Sequence, residues 1–559
     1  MIARMRGRLP RLSDLVAITP GAEAQPESPA VLIVTSRHRL WQRYGPSGVG
    51  AVERALGELM GAMAARGLSA TVLYPDDSPL LSRFGVLPAD TSRPGDVARV
   101  IRELSDRMRW TEERVRYLLL IGDEDVLPHD RPANPSPDDE DRLRSDHLYA
   151  TDAADPLRSA RAVGRLPLGE LHELVQAIHV ATQAHLRLAA GQGALLSTDA
   201  FGYSASVWKR AAREVFGTIG DPRGLRLSPP LTQREAPQPG QQGPRWRYYN
   251  LHGLADSPAW FGELDPAFPA AYEACPVALR PEDLAPAPGS LVLSAACFGA
   301  HLSGRRTMDS IALTSLAGGA WGFVGATGVS YGGLDGALVA GDLLAARFWR
   351  AAMLGVPVGW ALAQAKWALV QETLARQGYL DAEDEKAVLN MVLYGDPSLV
   401  CQAPSPWAED AAQVDLGSDP VEWVGQTPPV GAASAWPRFL RAAPKARAPH
   451  AVGAPVMTAP LLPASRPQSS ATRQLVQQVQ RSVARRLPAF GGAEVRIETA
   501  QAPRRAYAKS QALLMEGECC PLIITMKKDV ATADGAACHE VVRVTVDSRG
   551  AIRKLAVSH

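Results

Sequence analysis

The sequence has few cysteines for its length, and none of them forms a CxxC pair. Six occur among 559 residues, at irregular spacings. Disulfide-stapled secreted domains and ordinary zinc sites need more cysteines, or cysteines at short fixed spacings, so the composition argues against both and favours a reducing compartment. The six positions are Cys275, Cys297, Cys401, Cys519, Cys520 and Cys538.

Long apolar runs and an excess of charge are also absent. No stretch approaches the roughly 18 to 20 apolar residues of a membrane-spanning helix, and the basic amino terminus lacks the apolar run of a signal peptide. The 59 Lys+Arg and 58 Asp+Glu leave a formal charge of +1, which supplies no field for nucleic acid or an acidic membrane. We therefore expect a cytoplasmic protein with neither partner, while export by a signal-independent route stays open.

What the sequence does contain is a recurring pattern of short apolar runs and helical spacings. VLIVTS, ATVLYPDD and RYLLLIGDEDVLP are typical of parallel strands separated by helices in an α/β sheet, and a second series of this kind follows. Further along, one segment holds twelve of the 45 prolines, which predicts a linker. The predicted parts are an N-terminal tail (1–29), a first α/β unit (30–190), a second α/β unit (191–402), the linker (403–470) and a small α+β C-terminal domain (471–559).

Two short sequence motifs follow apolar strands of the predicted second unit. His252-Gly253 follows WRYYNL, and Ala296-Cys297 follows SLVLSA. If these strands are parallel neighbours, their carboxyl ends share one edge of the sheet, and the imidazole and the thiol face each other. An imidazole raises the thiolate fraction of a cysteine and can later protonate a leaving amine. Taken alone, however, a buried cysteine is more often a core residue and a strand-end histidine a satisfied polar group.

Gly253 adds a backbone donor to this pair. Because glycine has no Cβ, its N–H can approach a substrate carbonyl closely. Together with the N–H of Cys297 it would form an oxyanion hole. The sequence therefore predicts Gly253 and Cys297 as the oxyanion-binding residues.

Longer sequence motifs accompany these two strand ends, namely YLLLIGDEDVLP, SDHLYATD, AVGRLPLGE, YYNLHG, SAACFG, GGAWGFVGATGVSY and YGDPSLV. In these motifs and in their order the chain resembles peptidase family C25, the gingipain family of caspase-like cysteine peptidases. The resemblance covers about residues 30 to 402 and implies a caspase-like α/β module of two units with mainly parallel sheets. It also implies a cysteine endopeptidase acting on protein or peptide substrates.

The resemblance implies three catalytic residues. Cys297 would be the nucleophile and His252 the general base and acid. The third member would be an acid at the end of the strand that opens the second unit, which points to Asp199 in ALLSTD. Asp199 could instead cap the following helix, a position that suits Asp.

The resemblance also implies a substrate pocket. Tyr331 would form a wall of the S1 pocket and Ala295 its floor, with Trp260 as a further substrate-binding residue. The residues after ALLSTD hold no carboxylate where arginine-specific members of the family place one. Asp335 is the nearest alternative acid, and it would either bind a basic P1 side chain or cap the next helix.

No cofactor and no metal-ligand set are predicted for the catalytic site. Four consecutive acids, Asp138 to Asp141, form either a solvated loop or a place for a structural calcium ion. Leu251 stands before the histidine where the family has glycine. This departure keeps a second hypothesis open, in which the module is an inactive peptidase-like scaffold and the C-terminal domain binds a partner.

Overall fold

The computed structural model describes most of the chain after residue 28. The predicted tail and linker lie outside the described residues, apart from residues 29 and 470. The described ranges are 29–108, 115–138, 140–151, 156–191, 199–233, 235, 245–268, 272–334, 337–401, 470–499, 522–547 and 550–559.

The described residues contain eighteen strands in three sheets. In chain order they are β1 (Val31–Val34), β2 (Ala70–Leu73), β3 (Tyr117–Ile121), β4 (Ala162–Leu166), β5 (Ala200–Ala205), β6 (Arg226–Ser228), β7 (Trp246–Asn250), β8 (His252–Gly253), β9 (Trp260–Phe261), β10 (Val277–Leu279), β11 (Leu291–Ser294), β12 (Gly322–Ala326), β13 (Tyr331–Gly333), β14 (Met391–Gly395), β15 (Glu494–Thr499), β16 (Leu522–Ala531), β17 (Ala537–Val546) and β18 (Ile552–Ser558).

The α-helices of the same residues alternate with the strands up to β14. They are α1 (Arg37–Ala64), α2 (Ser78–Arg83), α3 (Pro94–Arg107), α4 (His147–Ala150), α5 (Leu171–Ala189), α6 (Lys209–Phe216), α7 (Ile311–Ala317), α8 (Ala340–Met353), α9 (Val358–Gln377), α10 (Ala382–Asn390) and α11 (Ser470–Ala484). Side-chain N-caps mark where some of these helices begin. Ser36 and Asp381, for example, accept backbone N–H groups of the first turns of α1 and α10, as N-cap residues do.

One ten-stranded sheet joins the two α/β series, in the order β2-β1-β3-β4-β14-β12-β11-β7-β5-β6. Every neighbouring pair is parallel except β12 and β14. The apolar runs VLIV and YLLLI are buried along their whole length, because helices cover both faces of such a sheet. The predicted α/β class with a mainly parallel sheet is confirmed.

The antiparallel junction divides the sheet into two halves that run in opposite directions. Strands β5, β7, β11 and β12 belong to one half, so their carboxyl ends lie at one edge. After β7 the chain enters a small antiparallel sheet, β10-β9-β8. This edge positions the candidate site.

The C-terminal residues form α11 and four strands, as the alternating pattern predicts. Their sheet has the order β13-β18-β17-β16-β15, so it includes β13 from the second α/β series. Val479, Ile524 and Val542 pack in one apolar cluster with Trp208 and Leu334. The C-terminal domain and the α/β module therefore share both a sheet and a core.

Buried ion pairs reinforce this junction. Lys554 Nζ on β18 lies 2.7 Å from Asp381 Oδ1 and 2.8 Å from Asp384 Oδ2. Arg543 Nε on β17 lies 3.0 Å from Glu383 Oε2. All three acids lie at the start of α10 or just before it.

Among the described helices, none combines the length and the apolar character that crossing a membrane requires.

Candidate active site at the edge of the sheet

The register of two strands brings His252 and Cys297 to the same place. β7 and β11 are parallel neighbours in which Tyr249 pairs with Ser294. Each functional residue lies three positions beyond its member of this pair. A Cβ on Gly253 would overlap the carbonyl oxygen of Cys297, so the two strand ends are in direct backbone contact and only glycine fits.

The Cys297 thiol is buried, with 5% of the residue exposed. Ser330 donates its backbone N–H to Sγ at 3.1 Å, and the thiol donates to the Ser330 carbonyl at 3.4 Å. Burial raises the pKa of the thiol to about 12. The next residue, Phe298, has a φ of 54°, a left-handed conformation that costs about 1–2 kcal/mol for a non-glycine residue. The nucleophile candidate therefore sits on a strained turn, as a protonated thiol.

The imidazole of His252 has partners at both ring nitrogens. Nε2 lies 3.0 Å from Glu263 Oε2 and 3.7 Å from Glu540 Oε1. Nδ1 lies 3.6 Å from the Sγ of Cys538. Burial lowers the pKa of His252, and the charge of Glu540 opposes that shift. In this arrangement Nε2 faces acids of both the α/β module and the C-terminal domain, and Nδ1 faces a thiol of the C-terminal domain.

Glu263 is a site residue that sequence reasoning missed. It follows β9, whose residue Phe261 pairs with His252. Ser206, just beyond the end of β5, donates its hydroxyl to the Glu263 carbonyl at 2.7 Å. Burial raises the pKa of the Glu263 carboxyl to about 8. The family resemblance placed an acid at the end of the strand that opens the second unit. That strand, β5, is instead followed by Ser206, which anchors the segment that carries Glu263.

The structure does not support the catalytic role predicted for Asp199. This residue precedes β5 and is exposed. Its neighbour Ala200 pairs with Trp246 at the start of β7, whereas His252 lies beyond the end of that strand. At about 3.3 Å per residue, Asp199 is roughly 20 Å from the imidazole. The expected position of Asp199 at the end of a strand was wrong, because the described strand β5 begins after it, at Ala200.

The predicted pocket residues divide into three groups. Tyr331 and Ala295 are buried in one apolar cluster, and the Tyr331 hydroxyl donates to Asp138 Oδ2 at 2.9 Å. Trp260 pairs with Gly253 in the small sheet, but its ring packs against Tyr249 at 5.6 Å between centroids. Asp335 lies outside the described residues.

The predicted acidic loop forms ion pairs with a buried lysine. Lys386 Nζ lies 2.7 Å from Asp138 Oδ2 and 2.6 Å from Glu140 Oε2. Glu140 also accepts the backbone N–H of Val329 at 2.7 Å. Asp138 and Glu140 therefore do not belong to a solvated loop, because the ammonium group of Lys386 pairs with both carboxylates. A structural calcium ion remains only a prediction from the sequence.

A cluster of possible metal ligands surrounds the imidazole. His252, Cys538 and Glu540 are buried, and one ligand atom from each lies within 4.8 Å of the others. Nitrogen, sulfur and carboxylate donors suit zinc better than calcium. Cys538 lies near Nδ1, however, and Glu540 near Nε2. If a metal ion bound one ring nitrogen, the donor at the other nitrogen would have to move to reach the ion.

Two further residues at the site were not predicted from the sequence. Trp208, just after β5, stacks on the imidazole of His559 at 4.2 Å and meets His252 edge-on at 4.4 Å. His559, the last residue of the sequence, accepts the Cys297 backbone N–H on its carbonyl oxygen at 2.9 Å. Only the pairing of β13 with β18, which no local pattern encodes, brings His559 here.

Comparison with known proteins gives one family match. Residues 286–402 match the model of peptidase family C25. The segment contains Cys297, Ala295 and Tyr331, whereas His252 and Glu263 lie before it. No curated protein matches the chain in sequence.

Several solved structures are similar in backbone. The Arg-specific cysteine proteinase gingipain R has 13% identity, a TM-score of 0.46, and coverage of 68% of this chain and 80% of its own. The complex of Porphyromonas gingivalis RgpB pro- and mature domains has 12% identity, a TM-score of 0.45, and coverage of 66% and 79%. A third structure, of a protease, has 12% identity, a TM-score of 0.45, and coverage of 95% and 97%. The recognition of peptidase family C25 from the sequence is confirmed over residues 286–402, and it supports a cysteine peptidase in general.

Proposed function

We propose that this protein is a cysteine endopeptidase in which Cys297 is the nucleophile and His252 the general base and acid. The observation that carries the proposal is their convergence: the two strand ends touch, and a buried carboxyl group orients the imidazole. Nucleophile, base and orienting group are the three parts that covalent acyl transfer requires. The family match over the Cys297 segment supports the same reaction class.

In the proposed reaction, the thiol gives its proton to His252 as Sγ attacks the scissile carbonyl carbon. The oxygen of the tetrahedral intermediate accepts hydrogen bonds from the backbone N–H groups of Cys297 and Gly253. The imidazolium then donates its proton to the leaving amine, and a thioester remains on Cys297. Water loses a proton to His252 as it attacks the thioester, and the returning proton restores the thiol as the new carboxylic acid leaves.

Glu263 takes the orienting role that the sequence assigned to Asp199. Its hydrogen bond to Nε2 fixes the ring, so that Nδ1 is the nitrogen for proton transfer once the Cys538 thiol, 3.6 Å from it, has moved away with the C-terminal domain. The carboxylate also stabilises the imidazolium that forms during the reaction. Nδ1 can accept the thiol proton only while the ring carries its hydrogen on Nε2 and donates it to an ionised Glu263. Burial raises the pKa of Glu263 to about 8, so the proposed reaction uses the ionised form of this acid, which the imidazolium then stabilises.

For the S1 pocket, we propose that Asp342 supplies an acid. Asp342 is buried in the first turn of α8, and its Oδ2 accepts the Gly333 N–H at 2.8 Å. Its Oδ1 has no hydrogen-bond partner among the described residues, and burial raises its pKa to about 7. A cationic P1 side chain would pair with this carboxyl and ionise it. This supports a basic P1 residue with an acid other than Asp335.

The test compares the full-length protein with Cys297→Ala and Cys401→Ala variants on a peptide library. Cys401 is also a buried thiol, and burial raises its pKa to about 12 as well, so it is a matched control. We expect slow hydrolysis in the unaltered chain and in Cys401→Ala, because the C-terminal domain covers His252, and none in Cys297→Ala. Hydrolysis that persists without Cys297 would contradict the mechanism. Absence of hydrolysis in every form, and also after Lys554→Met, which breaks the buried ion pairs of β18, would favour the scaffold hypothesis.

A further inference from the structure

The last strand of the chain lies along the candidate cleft as a peptide would. β18 is antiparallel to β13, with Tyr331 opposite Ser558 and Gly333 opposite Ala556. His559 continues the ladder by donating its N–H to the Ser330 carbonyl at 3.0 Å. Addition of an extended strand to an exposed sheet edge is a common way of binding peptides. The edge of β13 is therefore filled by the protein's own chain.

The direction of β18 places its end at the nucleophile. The strand runs toward Cys297, and the carbonyl oxygen of His559 accepts the Cys297 backbone N–H at 2.9 Å. This is a donor that the proposed mechanism assigns to the oxyanion. Residues 556–559 therefore lie where the acyl half of a substrate would lie, with His559 in the P1 position.

The imidazole of His559 lies in a pocket beside Trp208 and Asp342. It stacks on Trp208 at 4.2 Å with an interplanar angle of 28°. A Cβ on Gly332 would collide with both this ring and the Asp342 carboxylate, so ring and acid face the same point of the cleft. Burial and the nearby His252 lower the pKa of the His559 ring to about 3. The ring is therefore a neutral occupant of the pocket.

The neighbouring strand closes the rest of the site. Cys538 and Glu540 of β17 lie against His252, which is only 1% exposed. The buried pairs of Lys554 with Asp381 and Asp384 hold β18 in place at a distance from the cleft. In this state, neither the thiol nor the imidazole can meet a second peptide.

We propose that residues 552–559 are an intramolecular inhibitor that fills the acyl side of the cleft, and that the enzyme opens when β18 leaves β13. The inference rests on the proposed function for its meaning as inhibition. The occupancy of the cleft can be tested separately, because it predicts the accessibility of Cys297 whether or not peptides are cleaved.

The experiment uses full-length Lys554→Met and Arg553→Met variants. Lys554 is buried in the ion pairs, whereas the adjacent Arg553 side chain is 55% exposed and pairs with Asp547 at the surface. Removing one member of a buried ion pair is strongly destabilising, and a surface pair contributes little. We expect iodoacetamide to alkylate Cys297 at least about tenfold faster in Lys554→Met, and at the original rate in Arg553→Met. Peptide mapping by mass spectrometry locates the label.

A second variant and an internal reporter separate strand release from general unfolding. His559→Gly leaves the Lys554 ion pairs intact and removes the ring from its pocket, so it should also accelerate the labelling of Cys297. Cys401, buried in the α/β module, should stay slow in every variant. Unchanged labelling of Cys297 in both variants, or acceleration that Cys401 shares, would overturn the inference.

Peptide hydrolysis in the same samples distinguishes the two proposals. Faster labelling with faster hydrolysis supports both. Faster labelling with no hydrolysis in any form leaves the occupancy standing and overturns the peptidase function. Hydrolysis with the same kcat in the unaltered chain and in both variants overturns the inhibition and leaves the peptidase function standing.

Discussion

Nε2 of His252 lies 3.0 Å from Oε2 of Glu263, although Glu263 lies beyond the end of the neighbouring strand β9. The hairpin β8–β9 sets this distance, since His252 pairs with Phe261 two residues before the acid. A second carboxylate, Glu540, approaches the same nitrogen from the C-terminal domain at 3.7 Å. One ring nitrogen thus faces both an acid of its own module and an acid of the covering domain.

Glu263→Gln should lower kcat by about a hundredfold to ten-thousandfold with little change in KM. The amide keeps the shape of the side chain but cannot stabilise the imidazolium. Asp199→Asn is the matched control and should leave both constants unchanged, because Asp199 lies at the far end of β5. The kinetics of both variants are measured on one peptide substrate. The reverse pattern would restore Asp199 as the third catalytic residue.

Gly253→Ala should abolish detectable turnover. A Cβ at this position would overlap the Cys297 carbonyl oxygen, and the strand ends must separate to admit it. Loss of one oxyanion donor alone costs about a hundredfold to a thousandfold in kcat. Gly61→Ala in α1, where a Cβ meets no atom within 4 Å, is the control and should be neutral or slightly stabilising. Equal activity of the two variants would argue against this oxyanion site.

The free energy of unfolding should contain a term from Glu540 that falls as the pH rises. Burial, together with the charge of Glu263, raises the pKa of Glu540 to about 8 from its ordinary value of 4.5. The folded protein therefore holds a proton that the unfolded chain releases. The resulting stabilisation is complete below about pH 4.5 and is lost as the pH rises through about 8.

Glu540→Gln isolates this term, because an amide does not titrate. The other groups that face Glu540, namely His252, Glu263, Cys538 and Lys528 on the paired strand β16, are unchanged in the variant. Denaturant unfolding at pH 5, 6.5 and 8.5 should show Glu540→Gln gaining stability relative to the unaltered chain as the pH increases. Glu494→Gln, at an exposed position of β15, should show no such trend. A constant difference for Glu540→Gln would contradict the prediction.

Asp342→Asn should reduce cleavage after Lys and Arg by about a hundredfold, with a smaller effect after neutral residues. A buried carboxyl that pairs with a cationic P1 side chain contributes several kcal/mol of discrimination. The measurement is a cleavage profile over a library that varies P1, made on the unaltered chain and the variant. An unchanged profile would remove Asp342 from the pocket, and a preference for acidic P1 residues would contradict a basic P1 choice.

The sequence by itself determined the α/β layers and the edge of the sheet at which His252 and Cys297 lie. Apolar runs such as YLLLI specify buried strands, and parallel neighbours align their carboxyl ends. His252 and Cys297 each follow such a strand, so the sequence alone predicts that they lie at the same edge of the sheet. The alternating pattern after residue 471 likewise predicted the strands of the C-terminal domain.

Only the tertiary structure decided which groups surround that pair. Glu263 reaches the imidazole through a side-chain contact across a hairpin, and Asp342 approaches the cleft from the first turn of a helix. Neither contact leaves a periodic trace in the sequence. The insertion of β18 beside β13 is the strongest case, because an edge strand offers the same row of backbone donors and acceptors to any partner. Local patterns show that such a strand exists, but which edge it joins depends on the packing of the whole chain.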